Sequence, residues 1–163
     1  MTEDRTPISF TLNGRHVELS ADTGKPLVDL LRDDLDETSV QIGCRNGDCG
    51  ACTVLVDGAS IKSCIMPSGR ISGRAVETIQ GLATNDQLHP VQEAFWKANG
   101  FQCGYCISGQ ILCTVELLRK TPEAERVEMA AALEGNLCRC TGYQNIMAAA
   151  VLAAQKMTDE RKE

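Results

Sequence analysis

The sequence predicts an α+β chain: a small β-grasp-like unit ending near residue 80, followed by four helices. Two observations carry this. Asn13-Gly14 and Asp57-Gly58 each sit between short β-patterned runs, a strong signal for tight hairpins. From Leu88 onward the apolar residues instead recur at helical spacing.

In order along the chain, Ile8–Leu12 and His16–Leu19 form the first hairpin. Pro26 to Leu35 follows with Leu27, Val28, Leu30, Leu31 and Leu35; a proline at the first turn predicts a short amphipathic helix. Thr53–Val56 and Ser60–Cys64 make the second hairpin, and Val76–Ile79 supplies a further strand. The segment Gln80 to Gln87, with Gly81, Asn85 and Asp86, reads as a linker, so the expected domains are 1–80 and 81–163. Beyond it, helices are expected over Leu88–Ala98 (closed by Asn99-Gly100), Ile107–Leu118, Pro122–Leu133 and Tyr143–Met157. Four helices with short connections predict an all-α four-helix bundle.

Composition narrows the function classes. The 163 residues carry a net charge of −6 and 43% hydrophobic residues, enough for modest cores. No basic stripe is present, which argues against nucleic acid. The apolar stretch Ile146 to Ala154 is too short to span a bilayer. MTEDRTPISF lacks the basic and apolar regions of a secretory signal, so a cytoplasmic location is expected. Nine cysteines in such a chain point to metal or redox chemistry rather than to a disulfide framework.

The cysteines fall into two sets. Cys44, Cys49, Cys52 and Cys64 have the C-x4-C-x2-C…C spacing of a plant-type [2Fe–2S] centre. Gly43, Gly47 and Gly50 let that loop curl around an anionic group and turn N–H groups toward the sulfurs. Cys103 and Cys106 (FQCGYC) and Cys138 and Cys140 (LCRC) each precede a helix, whose positive end favours bound thiolates. Thr141 is a candidate N-cap for the last helix. By spacing alone this second set suits a cluster or a zinc ion, although C-x-C is poor zinc-ribbon spacing.

Taken together, GCRNGDCGACTV, the SC at 63–64, FQCGYC and GNLCRCTGY resemble the small iron–sulfur subunit of molybdenum hydroxylases, the xanthine dehydrogenase, aldehyde oxidoreductase and carbon monoxide dehydrogenase relatives. The resemblance runs from about Ile8 to Ala154. It implies a plant-type ferredoxin-like domain and a helical domain, each with one [2Fe–2S] cluster. Cys44, Cys49, Cys52 and Cys64 would ligate the flavin-side cluster, and Cys103, Cys106, Cys138 and Cys140 the one near molybdenum. It further implies that Gln102 and Cys140 approach the pterin. Molybdopterin would lie on a large subunit and FAD on a medium subunit, in a heterotrimer or a dimer of heterotrimers. The implied role is one-electron transfer between buried sites, with no catalytic residue on this chain. The alternatives are a free-standing double-cluster ferredoxin and a zinc-stabilised interaction module.

One segment departs from the family pattern. Ile107-Ser108-Gly109-Gln110 stands where many relatives have Thr-Pro-Gly-Met, a change expected to bear on packing against the large subunit. The remaining candidates have plain readings. Cys113 is expected to be a buried inert thiol. His16 and His89 read as surface or capping residues, and Phe95 and Trp96 as core or interface. Arg45 and Asp48 read as solvated loop charges, Arg139 as a charge beside the second set, and the tail TDERKE as mobile.

Overall fold

A computed structural model of the chain describes residues 5–85 and 87–160. Strands β1 (Arg5–Leu12) and β2 (Arg15–Asp22) form the first hairpin, with Leu12 opposite Arg15. Asn13 and Gly14 both take positive φ, 50° and 79°, as a two-residue turn that follows the strand twist requires. The second hairpin, β3 (Thr53–Val56) and β4 (Ala59–Lys62), turns at Asp57-Gly58 in the same way. Strand β5 (Ala75–Glu77) sits between the hairpins, giving the order β2-β1-β5-β3-β4. It runs parallel to β1 and antiparallel to β3.

The expected first helix is only partly α-helical. A single turn, α1 (Leu27–Asp29), widens into a π-helical stretch over Leu30–Asp34. The widening meets a tight exit: Glu37 N–H reaches back to Leu31 O at 2.8 Å, past Asp36 at φ 55°. Leu27, Val28, Leu30 and Leu31 are fully buried against Phe10, Val54, Val56 and Val76.

Helices α2 (Pro90–Lys97), α3 (Ile107–Lys120), α4 (Arg126–Leu133) and α5 (Gln144–Glu160) follow. His89 caps α2: its Nδ1 accepts from Val91 N–H at 3.2 Å, and Gln92 returns the contact to His89 N–H. Helix α4 starts later than Pro122 because Thr121 to Ala124 closes a separate turn, and Glu125 with Glu128 then forms the capping box. Helix α5 runs on through Thr158, Asp159 and Glu160, so that part of the expected mobile tail is helical; residues 161–163 lie outside the described residues. Phe95, Leu112, Val115, Leu118, Ile146 and Ala149 pack among these helices.

Strand β3 joins the two cores. Val54 and Val56 face the first core while Leu55 enters the helical one, as period-two alternation demands. The expected linker is also tied down: Thr78 caps a 3-10 turn at Ile79–Gly81, Leu82 is buried among the helices, and Thr84 and Gln87 exchange backbone hydrogen bonds. Asp86 lies outside the described residues. Among the described residues no helix is long and apolar enough to cross a membrane.

Candidate metal centres

The first cysteine set lies mostly on the irregular loop between the π-helical stretch and β3, which no strand or helix constrains. Cys44 Sγ accepts from Cys49 N–H at 3.4 Å and from Asn46 N–H at 3.5 Å. Those donors, Cys49 first, bring the Cys44 thiol down to about 6. Cys52 (2% exposed) and Cys64 (7% exposed) lie deeper. Burial, and then the neighbouring Cys52 thiol, push Cys64 up to about 11. Arg45 is exposed, as expected, and also pairs with Asp29 at 2.9 Å, which fastens the loop to α1. Asp48 is exposed and accepts from the Asn46 side chain at 2.7 Å.

The second set is assembled from two distant loops. Cys103 and Cys106 lie before α3, and Cys106 is that helix's N-cap residue. Cys138 and Cys140 lie between α4 and α5. Cys140 and Cys103 sulfurs are 3.6 Å apart, and Cys106 and Cys138 line the same cavity. Burial first, and then Cys138, push Cys106 up to about 12. At Cys138 burial acts upward, but hydrogen bonds from Thr141 and from backbone N–H groups prevail and lower its pKa. The Cys103 thiol beside Cys140 raises that residue's pKa. A cavity of about 170 Å³ is walled by these four cysteines and by Gly43 and Cys49 from the other loop.

The thiols therefore gather in two groups, Cys44 with Cys49 and Cys64 with Cys52 in the first, and Cys103, Cys106, Cys138 and Cys140 around one cavity in the second. Among the described residues no three His, Cys, Asp or Glu side chains gather about one ion position. Two irons, each taking two thiolates, fit this arrangement; one zinc would draw four ligands to a point. The all-sulfur donor set is the soft one that iron–sulfur clusters use.

A joint connects the two sets. Leu137 N–H donates to Cys49 O at 2.9 Å, linking a ligand candidate of the first set to the neighbour of Cys138. Beside it Asn136, 1% exposed, donates from Nδ2 to Cys113 Sγ at 3.0 Å, and its carbonyl accepts from Gln110 Nε2 at 2.9 Å. Tyr105 spans the same seam, its hydroxyl donating to Ile42 O at 2.8 Å. Sequence reasoning singled out none of Asn136, Tyr105 or Tyr143. Each stands within three residues of a cysteine in the quoted motifs, which is the signal that could have found them.

Thr141 does not cap α5 directly: it accepts from Tyr143 N–H at 3.1 Å, closing the turn before the helix, because Tyr143 at φ 64° is still outside it. Gln102, Arg139 and Cys140 are exposed, Gln102 beside Cys103 and Arg139 on the cavity wall. Cys113 is buried, and that burial raises its pKa. Ser108, Gly109 and Gln110 are buried within this chain rather than on its surface, so the departure at 107–110 serves internal packing. Phe95 is core, whereas Trp96 is 67% exposed and lies against Phe101. His16 is exposed and paired with Glu18.

Comparison with known proteins points to iron–sulfur domains over the same stretches of chain. Residues 10–77 match the 2Fe-2S iron-sulfur cluster binding domain family, and residues 78–151 the [2Fe-2S] binding domain family. The chain is 42% identical over 146 residues to the nicotine 6-hydroxylase small subunit of Paenarthrobacter nicotinovorans, covering 90% of this chain and 88% of that one. It is 44% identical over 142 residues to the xanthine dehydrogenase iron-sulfur-binding subunit of Escherichia coli O157:H7, covering 86% and 89%. The chain belongs to the iron–sulfur subunits of the molybdenum hydroxylases.

Solved structures of these hydroxylases share the fold. The crystal structure of quinoline 2-oxidoreductase from Pseudomonas putida 86 superposes with a TM-score of 0.91 at 34% identity, covering 96% of this chain and 98% of that one. Aldehyde oxidoreductase from Desulfovibrio gigas gives 0.91 at 34% identity; 95% of this chain corresponds to 17% of that longer chain. The subunit thus carries two [2Fe–2S]-binding domains and is part of an oxidoreductase.

Proposed function

We propose that this subunit passes electrons one at a time from a molybdopterin site on a large subunit, through two clusters, to FAD on a medium subunit. The gathering of eight thiols in two adjoining sites is the observation that carries the reading. Cys44, Cys49, Cys52 and Cys64 would hold one cluster, and Cys103, Cys106, Cys138 and Cys140 the other. When bound, each cluster supplies a one-electron couple. The chain's own part is to fix the sulfurs, place backbone N–H groups against Cys44, and hold the two sites together through Leu137 and Cys49.

The second set faces the molybdenum side on this reading, which the exposure of Gln102, Cys103 and Cys140 supports. Gln102 and Cys140 would meet the pterin there. The family matches, which part between residues 77 and 78, support a domain boundary near residue 80. We read the N-terminal part as a β-grasp, and α2 to α5, which share one core, as a four-helix bundle. The complex on this reading is a cytoplasmic heterotrimer, or a dimer of heterotrimers, that oxidises an aldehyde, an N-heteroaromatic ring or a related small molecule; the names of the relatives support the substrate class only.

Affinity purification of the tagged subunit tests this. The expected result is a complex with a large molybdenum protein and a flavoprotein, iron and sulfide for two [2Fe–2S] clusters per small subunit, and two distinct EPR signals on reduction. A monomeric, fully active two-cluster carrier would replace the reading by a free ferredoxin. A colourless zinc protein would reject it outright.

A further inference from the structure

The loop from Cys138 to Tyr143 closes on itself through three hydrogen bonds. Cys138 N–H donates to the Tyr143 hydroxyl at 2.9 Å, and Tyr143 N–H donates to Thr141 Oγ1 at 3.1 Å. Thr141 Oγ1 in turn lies 3.2 Å from Cys138 Sγ. The direction of this last contact follows from the others. A backbone N–H can only donate, so Tyr143 N occupies a lone pair of Oγ1 and leaves the hydroxyl hydrogen for the sulfur. A metal-bound thiolate, which has no proton, can only accept it.

We propose that Thr141 tunes the cluster of the second cysteine set, its hydroxyl raising that cluster's reduction potential through the bond to Cys138 Sγ. The proposal rests on Cys138 being a ligand. One-electron reduction makes and breaks no bond; it adds one negative charge, shared with the ligand sulfurs. A donor aimed at a sulfur stabilises the reduced state more than the oxidised one, so the potential rises. At Cys44 the donors are the backbone N–H groups of Asn46 and Cys49, which no side-chain substitution removes. At Cys138 backbone N–H groups donate as well, and Thr141 adds a side-chain hydroxyl that substitution can remove. It is a positioning and tuning residue, with no contact to substrate.

The test is an EPR-monitored redox titration of the purified complex with dithionite, comparing wild type, Thr141→Val and Thr141→Ser. Valine keeps the shape and removes the donor; serine keeps the donor. In Thr141→Val the second-set signal should titrate at lower potential, by about tenfold in its equilibrium constant, or about 59 mV for a one-electron couple. The other signal should stay in place, and Thr141→Ser should stay near wild type. The Fe–S(Cys) stretch in resonance Raman should rise in Thr141→Val, as removal of the donor strengthens the bond. An unmoved second-set potential, or equal shifts in both clusters, overturns the proposal. Loss of iron in Thr141→Val overturns it as well, because the hydroxyl would then hold the loop rather than tune the couple. Absence of a second cluster in wild type would instead remove the ligand assignment beneath it.

Discussion

The two cysteine sets meet one chemical demand with different parts of the chain. The first winds one local loop around its sulfurs, and the donors to Cys44 are backbone N–H groups held by the loop's path. The second is assembled across the helical region from loops before α3 and α5, and Cys138 meets a side-chain hydroxyl in addition to backbone N–H groups. Cys52 and Cys64 are buried, whereas Cys103 and Cys140 open to the surface. A site built on backbone conformation tolerates side-chain change and resists change of backbone. A site built on packed helices and side chains has the opposite sensitivities, and it can face a partner.

The largest expected effect separates the sets outright. Cys49→Ser should abolish the first-set EPR signal and Cys138→Ser the second, each with loss of roughly half the iron. The joint uses the Cys49 carbonyl, not its sulfur, so each loss should stay local. If Cys138→Ser removed the first-set signal instead, the pairing of motif to site would be wrong.

Next in size is the backbone test. Gly50 has φ 75°, and an added Cβ would meet Asn136 Oδ1 at 2.2 Å and Gly135 O at 2.4 Å. Gly50→Ala should therefore cost about 2–4 kcal/mol and loosen both clusters together, through strain at φ and overpacking of the joint. Bleaching of the visible absorption on heating reads this out. A wild-type melting profile would show that the seam yields more readily than its contacts imply.

The smallest effect lies away from both sets. Glu93 on α2 pairs with Lys156 on α5 and with Lys97, and these lysines hold its carboxyl down at about 2. A depressed folded pKa gives stability that is present above the ordinary carboxylate range and is lost as pH falls through about 2. Glu93→Gln should lower the thermal midpoint slightly at neutral pH, and the gap to wild type should narrow as the solution is acidified, followed by circular dichroism. A gap that widened on acidification would contradict that sign.

Much of this was legible in the chain. Asn13-Gly14 and Asp57-Gly58 announce the hairpins because positive φ at both turn positions is a local demand. The cysteine sets are legible because ligand spacing reflects the reach of a short loop. The parallel pairing of β5 with β1 was not, since strand neighbours far apart in sequence are chosen by packing. Nor was the π-helical widening after Asp29, which follows from the Glu37 contact with Leu31. The pairing of Arg45 with Asp29 was hidden because the two lie sixteen positions apart. Asn136 looked like an ordinary loop residue until the fold put Gly50, Cys113 and Gln110 against it.

By itself the sequence determined the two hairpins, the switch to helices, and which cysteines form each set, because turn chemistry, periodicity and ligand spacing act over a few residues. Only the tertiary structure decided that Cys103 meets Cys140, that Leu137 and Cys49 join the two sites, and that the Thr141 hydroxyl lies against the Cys138 sulfur. Those facts depend on contacts across loops, which local preference leaves open and the packing of β3 between two cores selects.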